Sequence, residues 1–336
     1  MYRNPYENLS EPIRIAEIAK AGFNEKRFWT GRIQLNFVEG PDNGPALVLI
    51  PAQMGIWESY QKVMVPLSKK FHVFVVEIRG HGKSSWTPGD YSWKSIGADM
   101  ESFLKGVVGK RAILTGNSSG GIIALWCGAH VPEYVAGIVL EDAPIFSAEM
   151  PRFKDWDRFV YNGLHHLVEK IGDPLNRDIA DYFRGLEMPV SDTRTKKVPE
   201  FFIRYLSKKT EKFEAEHPGR PVDVGFPETL RLLLKSLSMF DPDFSRAFLD
   251  GRFYEGMDHE ESLRSVKCPM LVLHANWRRF LQYGLVGAMD DDDAKRLLNI
   301  VPHAVYKKIP ANHVIHMFKP KEFVKAITAF SEEAGL

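Results

Sequence analysis

Short runs of apolar residues rich in Val and Ile constrain the fold of this chain more than any other feature of its sequence. They are PALVLI at 45–50, FHVFVVEI at 71–78, RAILT at 111–115, GIVLED at 137–142 and PMLVLHA at 269–275. Such nearly continuous hydrophobicity is typical of parallel strands that are buried on both faces. Segments with helical spacing, such as SWKSIGADMESFLKGV, lie between most of the runs. The alternation predicts an α/β fold with a mostly parallel central sheet flanked by helices.

The alternation is interrupted between residues 147 and 264. Strand-like runs are scarce in this segment, and its apolar residues recur at helical intervals. We therefore predict a helical cap at 147–264, inserted into a core made of residues 29–146 and 265–336. Residues 1–28 are predicted to be an N-terminal helical extension. Its stretch EPIRIAEIAKAGF could pack on the core, on the cap or on a second subunit, which leaves a homo-oligomer open.

Charge and composition argue against several classes of partner. The chain carries 44 Lys and Arg against 43 Asp and Glu, a balance that does not favour binding to nucleic acid. Cys127 and Cys268 lie in apolar runs, which is typical of free thiols in a reducing compartment. The N-terminus lacks the pattern of a signal peptide, and no apolar run reaches the roughly 18 residues that a membrane span needs. These features predict a cytoplasmic protein without a membrane partner.

The turn after the run at 111–115 carries the strongest chemical signal. It reads Gly-Asn-Ser-Ser-Gly over residues 116–120 and joins a predicted strand to a predicted helix. In a G-x-S-x-G turn of this kind the serine adopts a strained backbone conformation with an exposed hydroxyl, and the glycines avoid collisions. Ser118 is therefore the predicted nucleophile. The N–H of Ser119, at the start of the helix, is predicted to stabilise an oxyanion.

Three motifs in this order resemble those of the α/β-hydrolase superfamily. Besides the serine turn, EIRGHGKSS at 77–85 is similar to the superfamily's loop after an early strand, and IPANHVIHMFKPKEF at 309–323 is similar to its terminal histidine segment. The resemblance covers roughly residues 30–145 and 255–336. It implies an α/β-hydrolase fold with a cap and a triad of serine, acid and histidine, a chemistry that needs no cofactor and no metal.

A serine hydroxyl needs a neighbouring base, and the resemblance implies that His313 is that base. His313 follows the last predicted strand, where the superfamily carries its catalytic histidine. His316 lies three residues later in an apolar context and is expected to be structural. The other histidines show no spacing typical of metal ligands.

The acid of the triad is harder to assign. Much of the superfamily carries it after the strand that follows the cap, where this chain has the neutral Asn276. Asp142, at the end of the preceding strand, is our preferred acid, a placement that resembles mycoestrogen lactone hydrolases. Glu141 and a residue of the acidic run 290–293 are alternatives, although that run is expected to lie at the N-terminus of a helix, where its charge complements the helix dipole. Because side chains alternate along a strand, only one of Glu141 and Asp142 can face His313.

The second oxyanion donor and the substrate contacts rest on weaker signals. The resemblance implies that the second donor lies in the loop after PALVLI, at the N–H of Gln53. The side-chain amide of Gln53 could also reach a substrate. The predicted cap is rich in aromatic residues, which suits an apolar or aromatic substrate. Phe146, Trp156 and Trp277 are candidate contacts, although aromatic residues of a cap can equally build its own core.

These residues predict a serine hydrolase that cleaves a carboxylic ester or lactone of an apolar or aromatic small molecule through an acyl-enzyme. The same triad could hydrolyse a carbon–carbon bond or an amide. A ligand receptor or a cofactor-independent oxygenase built on the same fold is the alternative from a different class. Dehalogenation and epoxide hydrolysis are disfavoured because the residue at the turn is a serine and not an aspartate.

Overall fold

A computed structural model describes residues 2–336 of the chain. Its strands are β1 (Asn24–Trp29), β2 (Gln34–Glu39), β3 (Ala46–Ile50), β4 (His72–Glu77), β5 (Ala112–Asn117), β6 (Val135–Glu141), β7 (Glu187–Ser191), β8 (Arg194–Lys197), β9 (Met270–His274), β10 (Arg278–Phe280), β11 (Gly284–Val286) and β12 (Val305–Lys308).

The α-helices are α1 (Ala16–Lys20), α2 (Gln61–Ser68), α3 (Trp93–Phe103), α4 (Ser119–His130), α5 (Arg152–Asp155), α6 (Arg158–Ile171), α7 (Glu200–Glu216), α8 (Glu228–Ser238), α9 (Pro242–Asp250), α10 (His259–Ser265), α11 (Asp291–Ile300), α12 (Ile315–Phe318) and α13 (Pro320–Glu333). Short 3₁₀ turns, including one at Ile179–Phe183, lie between some of them.

The central sheet confirms the predicted architecture. Eight strands pair in the order β1-β2-β4-β3-β5-β6-β9-β12. β2 pairs antiparallel with both β1 and β4, and every pair from β4 to β12 is parallel. β3, β5 and β9 are buried along their whole length, which explains why their sequences are nearly continuous apolar runs.

Strand β3 shows how the two faces of the sheet are filled. Leu47 and Leu49 point into one apolar core, which α2 and α13 cover, while Val48 and Ile50 point into the other, which α3 and α4 cover. Successive side chains of a strand point to opposite faces, so a strand between two helical layers must be apolar at every position.

The segment between β6 and β9 is mostly helical, but it departs from the predicted cap in two respects. The hairpin β7–β8 lies within it, and none of the residues of β7 or β8 is buried, so these strands lack the apolar pattern that reveals a strand. Helix α10 packs against α4 of the core. This helix, which crosses the predicted end of the cap at residue 264, therefore packs with the core.

The N-terminal extension differs from the predicted helical segment. Helix α1 is only five residues long, and β1 begins at Asn24 and forms the edge of the central sheet. Asn4 donates hydrogen bonds to the carbonyls of Gly82 and Ser84, and the hydroxyl of Tyr2 donates to Asp241 just before α9. The extension therefore contacts both the core and the segment between β6 and β9.

Two further observations concern the environment of the protein. Cys127 and Cys268 are buried free thiols, as predicted, and burial raises the pKa of Cys268 to about 11. Over residues 2–336, no helix combines the length and the apolar character that crossing a bilayer requires. The cytoplasmic location stays a prediction.

Candidate active site

Ser118 lies in the turn between β5 and α4. Its backbone has φ 55° and ψ −123°, a conformation that is strained for a residue with a side chain. The N–H of Ser118 donates to the carbonyl of Glu141 at 3.0 Å, which fixes the turn against the end of β6. Ser118 borders a cavity of about 560 Å³. The position and backbone strain are those expected of an exposed nucleophile in a G-x-S-x-G turn.

The glycines of this turn are required by close backbone contacts. A Cβ at Gly116 would lie 2.0 Å from the carbonyl of Gly120, and a Cβ at Gly120 would lie 2.3 Å from the carbonyl oxygen of Ile50. No side chain fits in either place, because the first turn of α4 passes directly against the ends of β3 and β5. Glycine is the residue that permits such an approach.

His313 and Asp142 form a hydrogen-bonded pair next to this turn. The imidazole Nδ1 lies 2.6 Å from Asp142 Oδ2, and His313 borders the same cavity as Ser118. The carboxylate of Asp142 is 1% exposed. Burial opposes the charged imidazolium, but the hydrogen bond to Asp142 and the charges of Asp142 and Glu141 outweigh it and raise the pKa of His313. A base held in this way is stabilised as it takes up a proton.

The backbone around Asp142 orients its carboxylate. Asp142 has φ 43°, and its N–H donates to the carbonyl of Leu273 at 2.7 Å. Its Oδ1 accepts the N–H of Ala275 at 2.9 Å, so that Oδ2 faces His313. Because Asp142 accepts a hydrogen bond from Nδ1–H of His313, the neutral imidazole has its free lone pair on Nε2.

Glu141, the alternative acid, belongs to a separate pair. Its carboxylate bonds to Nδ1 of His316 at 2.8 Å, and both side chains are fully buried. His316 also stacks on Tyr60 with 3.8 Å between ring centroids. The alternation along the strand thus directs Asp142 to His313 and Glu141 to His316, on two sides of β6.

The acidic run 290–293, the other alternative, is occupied elsewhere. Asp290 is the N-cap of α11 in a capping box with Asp293. Asp290 also accepts from Arg279 at 2.6 Å, and Asp293 binds Arg152. The run therefore lies at the N-terminus of a helix, which is the other interpretation that the sequence offers.

The predicted oxyanion loop follows β3, and its hydrogen bonds include one that the sequence did not predict. The N–H of Gln53 donates to the side-chain hydroxyl of Ser119 at 2.8 Å. The side-chain amide of Gln53 donates to Ser245 of α9 at 2.8 Å, which ties the loop to that helix. The backbone N–H of Ser119 is at the first position of α4, where an N–H has no partner within the helix.

His81 supports the next residue of this loop. Met54 has φ 62°, and its N–H donates to His81 Nε2 at 3.1 Å. Burial lowers the pKa of His81 to about 4, against the opposing effect of its hydrogen bond to the carbonyl of Arg79. His81 is therefore neutral near pH 7 and can accept at Nε2. It lies in the EIRGHGKSS motif, but the motif alone does not reveal this contact.

Asn117 is a further residue whose role the sequence did not predict. Its side-chain amide donates to the carbonyl of His313 at 2.9 Å and to that of Glu141 at 3.2 Å. The residue before the nucleophile therefore holds the histidine loop and the end of β6 together. Its position inside the G-x-S-x-G pattern is the only signal the sequence offers.

The cavity that Ser118 and His313 border, called here the candidate catalytic cavity, has mostly apolar walls. Residues from the segment between β6 and β9 and from the β10–β11 hairpin contribute side chains such as Phe153, Phe159, Leu164, Leu285 and Val286. The lining holds no Lys or Arg, and its one carboxylate, Asp157, is bound by Arg152 and Arg279. The cavity therefore has no charged group free to bind an anionic substrate.

The three predicted substrate contacts do not line this cavity. Trp156 is 65% exposed. Phe146 is buried, and the guanidinium of Arg296 lies 3.9 Å from its ring centroid. The indole of Trp277 donates to Asp291 at 3.0 Å. These three residues follow turns, and the sequence pattern does not specify the direction of such turns. The aromatic residues that do line the cavity include Phe153 and Phe159.

No metal site of three or more His, Cys, Asp or Glu side chains occurs among the residues that the structure describes.

Known hydrolases are among the proteins to which this chain is similar. A 3-oxoadipate enol-lactonase of Acinetobacter baylyi is 22% identical over 94% of this chain and 98% of its own length. A 2-(acetamidomethylene)succinate hydrolase of Mesorhizobium japonicum is 28% identical, but the match covers 38% of this chain and only 45% of that relative.

Solved structures share the fold. The enol-lactonase from Burkholderia xenovorans superposes with a TM-score of 0.62 at 17% identity, covering 91% of this chain and 99% of the other. A bacterial membrane phospholipase A superposes with a TM-score of 0.65 at 20% identity, covering 96% and 90%. The sequence signature of the alpha/beta hydrolase fold matches residues 45–320. The chain therefore belongs to the α/β-hydrolase family.

Proposed function

We propose that this protein is a serine hydrolase that cleaves a carboxylic ester or lactone of an uncharged, apolar small molecule. The observation that carries the proposal is the pair of His313 and Asp142 at 2.6 Å, in the same apolar cavity as the strained Ser118. The names of the relatives, which include lactonases and an esterase, are consistent with it.

In the proposed first step, Ser118 Oγ attacks the acyl carbon while Nε2 of His313 takes the hydroxyl proton. Asp142 keeps the imidazole in the required tautomer and stabilises the imidazolium. The backbone N–H and the side-chain hydroxyl of Ser119 are the proposed donors to the developing oxyanion. The N–H of Gln53 donates to that hydroxyl and orients it. His313 then gives its proton to the leaving oxygen, and the alcohol departs, or stays attached to the acyl chain in the case of a lactone.

In the second step, His313 accepts a proton from water, whose oxygen attacks the acyl-enzyme. Collapse of the tetrahedral intermediate returns the proton to Ser118 and releases the carboxylate. The apolar cavity strengthens the electrostatic contacts to the oxyanion because it excludes water from them. The cavity that Ser118 borders holds no Lys or Arg, so the proposed substrate is neutral around its scissile bond.

Fluorophosphonate labelling together with turnover of p-nitrophenyl esters tests this proposal. The wild type is expected to label and to release p-nitrophenol, and Ser118→Ala is expected to do neither. Ser147→Ala, which changes another serine of the same cavity, serves as the control. Labelling without ester turnover would instead indicate an amide or a carbon–carbon bond as the target. A wild type that neither labels nor turns over would favour a ligand receptor or an oxygenase.

A further inference from the structure

A second cavity of about 380 Å³ adjoins the catalytic one. The two share five wall residues, which are Met54, Phe159, Val160, Leu164 and Met188. Met54 belongs to the oxyanion loop, so the second cavity begins beside the catalytic centre. Its far wall is formed by α6, the 3₁₀ turn at Ile179–Phe183 and the start of β7, through residues such as Leu167, Tyr182 and Leu186.

The second cavity is poorly suited to a charged group, and its one histidine, His166, is bonded through Nε2 to the carbonyl of Tyr182 at 2.8 Å. Its lining holds no Lys or Arg, and its only carboxylate belongs to Glu187. Glu187 is already paired with Lys197 at 2.6 Å and accepts the hydroxyl of Tyr283 at 3.1 Å. A carboxylate or phosphate at the end of a substrate would therefore lose its hydration here without gaining a cation.

We propose that the second cavity receives the distal part of a long, uncharged acyl chain whose carbonyl lies at Ser118. This inference rests on the proposed function and adds the class of substrate, namely medium- or long-chain acyl esters or lactones. The catalytic cavity alone has the volume typical of small-molecule sites. An adjoining apolar cavity is explained if the substrate extends past Phe159, Val160 and Met188.

Gly163 provides a direct way to close the second cavity. It lies within α6 and lines the second cavity but not the catalytic one. A Cβ built on Gly163 meets no atom within 4 Å, and the backbone φ lies outside the positive range that resists side chains. A side chain at this position therefore starts in open space on an unstrained backbone, and replacing a helical glycine favours the helix.

The experiment compares p-nitrophenyl esters of two, four, eight and twelve acyl carbons, below their micellar concentrations, with the wild type, Gly163→Phe and Gly163→Ala. In the wild type, kcat/KM is expected to rise with chain length by up to about fourfold per buried methylene. Gly163→Phe is expected to lower kcat/KM for the twelve-carbon ester at least tenfold and to leave the two-carbon ester within about twofold. Gly163→Ala, the matched control, is expected to keep the wild-type profile.

The outcomes separate this inference from the proposed function. Turnover of short esters with a flat or falling chain-length profile would overturn the inference and leave the proposed function standing. An unchanged twelve-carbon rate in a folded Gly163→Phe would do the same, and thermal melting verifies the fold. If Gly163→Phe fails to fold, Gly163→Leu takes its place. Absence of both turnover and fluorophosphonate labelling in the wild type would overturn the proposed function, and the inference with it.

Discussion

In the proposed mechanism Asp142 acts through His313, and pH measurements test this role. There His313 must be neutral to accept the proton of Ser118, so activity is expected to be lost as the pH falls through its pKa. Because the pKa is raised above the ordinary value of 6.5, we expect the acidic limb of kcat/KM to lie above that pH. Asp142→Asn removes the charge, so the limb is expected to move to lower pH and kcat to fall by about 10³ to 10⁴.

Glu141→Gln is the matched control for Asp142→Asn. Glu141 is the adjacent carboxylate, but its hydrogen bonds go to His316. We expect kcat at neutral pH to stay within about tenfold of wild type, with the main change in stability, because a buried pair is broken. A larger loss of kcat from Glu141→Gln than from Asp142→Asn would contradict the assignment of the acid.

The hydroxyl of Ser119 provides a second prediction. It accepts the N–H of Gln53 at 2.8 Å and keeps its own proton free to donate. We expect that proton to reach the oxyanion, so Ser119→Ala should lower kcat by about 10² with little change in KM, as loss of one oxyanion donor does. Steady-state kinetics would measure this. The control Ser147→Ala removes a hydroxyl that donates to Ala288, and an equal loss there would contradict the prediction.

Single residues were predictable where a local pattern requires them. Ser118 follows from the glycines around it, because the turn leaves no room for other side chains. The contact between Met54 and His81 joins positions 27 apart in the sequence. It requires a neutral His81, and the burial that keeps His81 neutral is not visible in any local sequence pattern. The direction of aromatic side chains such as Trp156 depends in the same way on turns whose path the sequence does not specify.

The junction between α6 and the β10–β11 hairpin depends on one buried carboxylate. Asp157, which is 3% exposed, accepts from Arg152 at 2.7 Å, from Arg279 at 2.6 Å and from the N–H of Leu285 at 3.0 Å. Asp157→Asn removes the charge that faces both guanidinium groups. We expect the free energy of unfolding to fall by about 2 kcal/mol, since bonds to charged groups contribute the most.

Urea denaturation of Asp157→Asn would measure this loss. The control is Asp181→Asn, because the ion pair of Asp181 with Arg184 lies at the surface, with side chains 36% and 40% exposed. Such pairs contribute about 0–1 kcal/mol. Equal losses in the two variants would show that Asp157 does not hold the junction.

Helices and strands could be predicted from the sequence where their burial requires a particular pattern of apolar residues. The parallel strands were predicted because both faces of the sheet are covered, so their residues are apolar without interruption. The hairpins β7–β8 and β10–β11 were not predicted, because the first has no buried residue and each strand of the second is only three residues long. In such hairpins the backbone pairing is local, and the apolar alternation that would reveal it is missing.

Across the whole molecule, the N-terminal residues connect parts that are far apart in the sequence. Asn4, which is 6% exposed, donates to the carbonyl of Gly82 at 2.9 Å and to that of Ser84 at 2.6 Å. The same loop holds His81, which accepts the N–H of Met54 in the oxyanion loop. The first residues therefore fix a loop that in turn supports the catalytic cavity.

Asn4→Ala tests this long-range connection. The substitution leaves two buried carbonyls without their donor, so we expect the free energy of unfolding to fall by about 2 kcal/mol. Hydrogen exchange is expected to accelerate in the loop that contains Gly82.

Asn24→Ala is the matched control, because the amide of Asn24 also donates to a carbonyl, that of Gly22, but at the surface. That control is expected to change stability by no more than about 0.5 kcal/mol. If both variants lose the same stability in urea denaturation, or if exchange near Gly82 is unchanged in Asn4→Ala, the N-terminal residues do not fix this loop.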